Sequence, residues 1–161
     1  MIVVSDTSPI SNLLLIGRLD ILQRLYQEVV IPPAVHSEVI ALGSLGESTD
    51  EYTSAEWITI KEPSLDDRVK ELSIKLDKGE SQAIALAIEI GCEWLLMDER
   101  RGTRIAREQG LRTIGLAGVL IEAKRQNIVS EVGPLLTDLK AKAGFWLGER
   151  LETRVLLEAG E

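Results

Sequence analysis

Two short apolar segments of this chain each end on an aspartate, and this pattern restricts the folds open to it. Ile2–Val4 leads to Asp6, and Trp94–Met97 leads to Asp98. Continuous apolar runs of this length are typical of parallel strands that are buried on both faces. The carboxyl ends of such strands lie along one edge of the sheet, where open α/β sheets bind their ligands. The sequence therefore predicts two carboxylates at a shared sheet edge.

Helical segments alternate with short strands along the rest of the chain. Further strands are predicted at Val29–Ile31, Trp57–Ile60 and Arg112–Ile114, with helices before and after each of them. This alternation is typical of a three-layer α/β/α sandwich with a mostly parallel central sheet. Because no repeat or linker divides the chain, we predict a single domain over residues 1–161. Residues 145–161 are predicted to form a C-terminal helical extension of that domain.

Local signals predict how two of the helices begin. Ser8 followed by Pro9 predicts a helix with Ser8 as its N-cap, which would leave the Asp6 carboxylate free for another task. Asp77 and Glu80 have the spacing of a capping box, in which each side chain accepts from the other residue's backbone N–H. Both roles of this second pair are compatible if Asp77 caps the helix while Glu80 faces the sheet edge.

The charge balance argues against nonspecific binding to nucleic acid. The net charge is −8, from 18 basic and 26 acidic residues, whereas a nonspecific binder is usually basic. Bound cations would offset several clustered acids, and the segment after Asp98 is locally basic through Arg100, Arg101, Arg104 and Arg107. The alternative interpretation of these arginines is an ordinary solvated helix face with acidic partners nearby.

Cysteine content and hydropathy indicate where the protein works. Cys92 is the one cysteine, which allows no internal disulfide and fits a reducing cytosol. Charged residues interrupt every apolar stretch well before the ~20 residues that a membrane span needs. We therefore expect a cytoplasmic protein that makes no membrane contact.

Four acidic residues are candidates for a divalent-cation site, and each also has a structural alternative. Asp6 and Asp98 follow strands, while Glu38 and Glu80 lie on predicted helices. Mg²⁺ and Mn²⁺ prefer such carboxylate oxygens. Asp98 is the hardest to explain structurally, because a carboxylate that leaves a buried strand must be solvated or paired. Glu99 is either an auxiliary ligand or a first-turn acid near a helix N-terminus.

Four segments together resemble the acidic motifs of PIN domains, in order and over most of the chain: Val3–Ser8, Ile31–Val39, Asp77–Ala83 and Leu95–Arg100. PIN domains are metal-dependent ribonucleases, and many are the toxins of VapC-type toxin–antitoxin pairs. The resemblance implies an endoribonuclease that hydrolyses RNA phosphodiester bonds with Mg²⁺ or Mn²⁺. It also implies an antitoxin protein as a partner, and a homodimer, because PIN domains commonly dimerise.

The resemblance also assigns roles to individual residues. It implies that the catalytic and metal-binding residues are Asp6, Glu38, Glu80 and Asp98, with Glu99 as a further ligand candidate. Supporting hydrogen bonds are expected from Ser8 and Asn12. Contacts to RNA phosphates are expected from Arg100 and Arg104.

Two positions depart from the usual family pattern. Glu80 stands where nuclease-active PIN domains often have aspartate, and the hydroxyl residue that usually precedes the fourth acid is missing from the segment Met97–Glu99. Two alternative functions therefore stay open. One is a catalytically weak PIN-like domain that binds another protein. The other is a metal-dependent phosphohydrolase that acts on a small molecule.

Overall fold

Five short strands form one sheet in which every neighbouring pair is parallel. The computed structural model describes residues 1–161. Its strands are β1 (Ile2–Ser5), β2 (Glu28–Ile31), β3 (Ile58–Ile60), β4 (Trp94–Leu96) and β5 (Thr113–Ile114). Their order across the sheet is β3-β2-β1-β4-β5. The predicted α/β fold is thereby confirmed, and the sheet is entirely parallel.

Ten α-helices and one short 3₁₀ helix connect and cover the strands. The helices are α1 (Thr7–Leu15), α2 (Asp20–Leu25), α3 (Pro33–Ile40), α4 (Asp50–Thr53), α5 (Asp66–Leu72), α6 (Lys78–Ile90), α7 (Arg100–Glu108), α8 (Leu116–Arg125), α9 (Gly133–Ala143) and α10 (Glu149–Glu158), with the 3₁₀ helix at Ala41–Leu45. None of them is both long and apolar enough to cross a membrane.

Successive residues of each central strand face two different cores, as the period of a strand requires. Val3 and Leu96 belong to the larger core, together with residues of α1, α2, α8, α9 and α10. Val4 and Leu95 belong to the smaller core, with residues of α5, α6 and α7. All four side chains are completely buried. This two-sided burial explains the continuous apolar runs that the sequence shows at β1 and β4.

Helix α1 begins earlier than the sequence signals predict, and both α1 and α7 begin directly after an acidic residue. Helix α1 starts at Thr7, so Asp6 and not Ser8 occupies the N-cap position. Pro9 is accommodated inside the first turn because the first backbone N–H groups of a helix have no intrahelical acceptor. Helix α7 starts at Arg100, directly after Glu99, which caps it. Both starts place an acidic residue at the junction between a strand and the following helix.

The C-terminal segment folds back onto its own domain. Val155 of α10 is buried in the larger core, and Lys140 of α9 forms an ion pair with Glu152 of α10. The Glu161 carboxylate accepts hydrogen bonds from the backbone of Val132 and from Lys124. The segment therefore packs part of its apolar surface against the same chain, while Trp146, Leu151 and Leu157 stay exposed.

Candidate active site

Asp6 lies at the carboxyl end of β1, in the centre of the sheet edge. Its backbone N–H donates to the Leu96 carbonyl at 2.9 Å, which extends the β1–β4 pairing by one residue. The residue is only 6% exposed. The pKa of the Asp6 carboxyl is raised to about 7, mainly by burial. A hydrogen bond from the Thr7 backbone N–H opposes this rise, and the charges of Glu80, Asp77 and Glu38 contribute to it. Asp6 is thus a buried carboxyl group among other acids.

Glu38 reaches the same site from α3. The Thr7 hydroxyl, one residue after Asp6, donates a hydrogen bond to the Glu38 carboxylate. On its other side the carboxylate lies against Gly79, where an added Cβ would stand 2.9 Å from Glu38 Oε1. Gly79 therefore provides the space in which Glu38 lies between α1 and α6.

Glu80 both caps α6 and faces the other acids. The Glu80 backbone N–H donates to Asp77 Oδ1 at 2.8 Å, and the Asp77 backbone N–H donates to Glu80 Oε2 at 3.2 Å. Burial raises the pKa of Glu80, as do the nearby charges of Asp77, Glu99 and Glu38. The predicted capping box is present, and it holds Glu80 beside the other carboxylates.

Asp98 is turned away from this group. Its Oδ1 accepts a hydrogen bond from the Leu116 backbone N–H at 3.0 Å, so it caps the start of α8. An added Cβ on Gly115 would stand 2.7 Å from the same oxygen. Its Oδ2 is buried without any hydrogen-bond partner, and burial raises the pKa of the carboxyl. The structure thus brings Asp6, Glu38 and Glu80 together and directs Asp98 towards α8.

The remaining sequence candidates fall into two groups. Glu99 accepts a hydrogen bond from the Gly102 backbone N–H at 2.5 Å, so it caps α7, although its charge still acts on Glu80. Neither Ser8 nor Asn12 makes a side-chain hydrogen bond to any of the acids. Sequence reasoning missed Thr7, which supplies the hydroxyl contact that was expected from those two residues. The position of Thr7 directly after Asp6 could have indicated this role, but the Ser8–Pro9 pair favoured a helix that begins after Ser8.

The donor chemistry of the site fits a hard divalent cation. Every candidate side chain offers carboxylate oxygens, and the buried Asp6 carboxyl has no cation partner in the protein. However, no three acidic, histidine or cysteine side chains lie close enough together to share one ion. Binding an ion at this edge therefore requires movement of side chains, and for Asp98 this means leaving the Leu116 backbone N–H.

Comparisons with known proteins agree with the fold. No curated protein matches the sequence. A solved structure of a PilT N-terminus domain protein from the hyperthermophilic archaeon Sulfolobus solfataricus P2 has a TM-score of 0.53 and 22% sequence identity, covering 76% of this chain and 93% of that one. The family DUF3368, described as a PIN domain, matches residues 2–161. The chain therefore belongs to the DUF3368 family of PIN domains.

Proposed function

We propose that this protein is a Mg²⁺- or Mn²⁺-dependent endoribonuclease. PIN domains are generally nucleases and typically use divalent metal ions. The observation that carries the proposal is the buried Asp6 carboxyl, which faces Glu38 and Glu80 with no protein cation beside it. Ionising three neighbouring carboxylates is unfavourable unless a cation compensates for their charge. A divalent ion is the partner that this arrangement lacks.

The residues of the site have distinct tasks in the proposed reaction. Asp6 is fixed by β1 and α1 and provides the most rigid oxygen ligand. Thr7 orients Glu38, and Asp77 orients Glu80, so both helix acids are held by hydrogen bonds before any ligand arrives. When bound, the ion supplies activation of a water molecule and neutralises charge on the phosphate. Without it, the same carboxylates repel an RNA phosphate.

RNA cleavage tests this proposal directly. The wild-type protein should cut single-stranded and hairpin RNA in Mg²⁺ or Mn²⁺ and be inactive in EDTA. Asp6→Asn should abolish cutting, because an amide keeps the shape of the side chain and loses the charge that holds the cation. Asp67→Asn is the matched control, since Asp67 is an exposed aspartate of α5. Binding of Mn²⁺ without cleavage of any RNA would instead support a catalytically weak binding module.

We further propose that the protein is a cytoplasmic toxin of a toxin–antitoxin pair, with an antitoxin protein as its partner, and that it forms a homodimer. The order of its acidic motifs, similar to that of VapC-type toxins, supports this. Exposed apolar side chains available for such contacts include Ile74, Leu45 and Trp146. Expression of the chain should arrest growth, and co-expression of a small protein encoded beside it should relieve the arrest. Light scattering that gives a monomer mass would contradict the dimer.

A further inference from the structure

One face of α7 carries a row of arginines beside Asp98. Arg100, Arg104 and Arg107 are spaced by four and three residues, which places them on the same side of the helix. All three are exposed, while the opposite side of α7 is buried in the smaller core. They line an open cavity of about 580 Å³ together with Asp98, Thr103 and Glu108. The row therefore begins at the fourth acid of the candidate active site.

These arginines lack the acidic partners that a merely solvated face would have. The five ion pairs of the structure all involve other basic residues, although the chain has 26 acidic side chains to offer. The Arg107 Nε donates to the Thr113 hydroxyl at 2.9 Å, which orients that guanidinium and leaves its terminal nitrogens free. Neither Arg100 nor Arg104 donates a hydrogen bond to any protein group. Of the five N–H donors on each guanidinium, only Arg107 Nε–H is used, so about fourteen remain unused along one groove.

The arrangement disfavours the helix itself. Like charges four residues apart repel each other, and a positive charge in the first turn opposes the helix dipole. Arg100 and Arg104 are four residues apart, and Arg100 is also the first residue of α7. An uncompensated cationic row in a chain of net charge −8 is best explained by an anionic ligand that carries more than one charge.

We propose that this face binds two consecutive backbone phosphates of the RNA strand where it leaves the candidate active site past Asp98. The inference rests on the proposed function and adds to it the path of the strand over α7 and the mode of recognition. Arg100 and Arg107 are seven residues apart, about 10 Å along the helix axis. No aromatic side chain lines the groove, so it offers bases no aromatic ring on which to stack. The groove therefore positions the strand through its phosphates and reads no sequence.

Equilibrium binding at several salt concentrations tests the proposal. The probe is a fluorescein-labelled 2′-O-methyl RNA 12-mer, followed by anisotropy in Mg²⁺ so that the acidic site does not repel it, and a gel confirms that the probe stays uncut. The variant is R100Q/R104Q, and the matched control is R150Q/R154Q on α10, which removes the same charge from two exposed arginines outside the groove. The α7 variant should raise Kd about tenfold and lower the slope of log Kd against log salt by about 1.4, which is ~0.7 for each of two phosphates. The control should keep the wild-type slope.

Several outcomes would overturn the proposal. Equal losses in the two double variants would show that only bulk charge matters, and absence of wild-type binding would show that the groove does not hold RNA. A preference for one homopolymer that disappears in the α7 variant would show base reading. Single variants R100Q and R104Q, each with about half the slope change, replace the double variant if its melting curve differs. Cleavage is measured separately. If the wild-type protein cuts no RNA but binds it through α7, the proposed nuclease activity is refuted while the proposed phosphate-binding face is supported.

Discussion

Removing the charge of Asp6 should stabilise the metal-free protein, in a way that depends on pH. The carboxyl is buried among Glu80, Asp77 and Glu38, and these surroundings raise its pKa from 3.8 to about 7. Between those two values the folded protein keeps a proton that the unfolded chain has lost. Stability therefore falls as pH rises from about 4 to about 7, and the penalty is constant above that range. Asp6→Asn removes the ionisation and with it the penalty.

The size of the effect follows from the difference between the two pKa values. A difference of about 3 units, at about 1.4 kcal/mol for each unit, gives a penalty of about 4 kcal/mol at alkaline pH. Part of this penalty is already present at pH 5, because the carboxyl of the unfolded chain is ionised in part at that pH. The remainder, about 3 kcal/mol, develops between pH 5 and pH 8.5. The asparagine amide keeps the size of the side chain, so little packing free energy changes.

Urea unfolding in EDTA at pH 5 and pH 8.5 measures this difference. Asp6→Asn should have a higher free energy of unfolding than wild type. This difference should be about 3 kcal/mol larger at pH 8.5 than at pH 5. Asp67→Asn, in an exposed first turn, should differ from wild type in unfolding free energy by nearly the same small amount at both pH values. Adding Mn²⁺ should stabilise wild type by mass action and leave Asp6→Asn nearly unchanged. A gain that is equal at both pH values would refute the argument from burial.

Two other substitutions test contacts around the site and the C-terminal helix. Gly115→Ala should displace the Asp98 carboxylate, because the new Cβ would stand 2.7 Å from Asp98 Oδ1. Thermal unfolding should show a loss of stability of about 1–2 kcal/mol, as for a lost helix cap. An unchanged melting temperature would contradict the contact. Glu161→Gln should destabilise the protein by about 1 kcal/mol at pH 7. The backbone N–H groups of Val132 and Gly133, with Lys124, hold the Glu161 pKa at about 2, so the stability it provides is present above about pH 4.5 and is lost as pH falls towards 2. A Glu161→Gln effect that persists at pH 2 would contradict that sign.

The sheet could be predicted from the sequence because each strand has a recognisable local sequence pattern. Val3 and Val4 face opposite cores and are both fully buried, so an uninterrupted apolar run is the direct consequence of helices on both faces. The order of the strands has no such local signal. β1 lies between β2 and β4, and its partner Trp94 is about ninety residues away along the chain. Pairing at that separation is decided by tertiary packing.

The candidate site shows where local rules stop being sufficient. The prediction that Ser8 caps α1 was wrong, because a proline is equally acceptable at a later position of the first turn. The capping box of Asp77 and Glu80 was correct, because both partners lie within four residues. The orientation of Asp98 depends on Leu116, which β5 and the turn after it bring to the sheet edge. A contact across eighteen residues of intervening helix and strand leaves no pattern in the sequence around Asp98.

The four acids divide into two kinds, and the division indicates how an ion would be held. The helix acids Glu38 and Glu80 already have hydrogen-bond partners that fix their direction. Both strand-end acids have raised pKa values. Asp6 is buried, whereas Asp98 is half-buried and its Oδ2 atom is buried without a hydrogen-bond partner. A buried polar oxygen without a partner destabilises the protein by about 1–3 kcal/mol. A cation held among these acids would relieve the charge of Asp6 first, because Asp98 is directed towards Leu116. The two hydrogen-bonded glutamates would set the position of the ion.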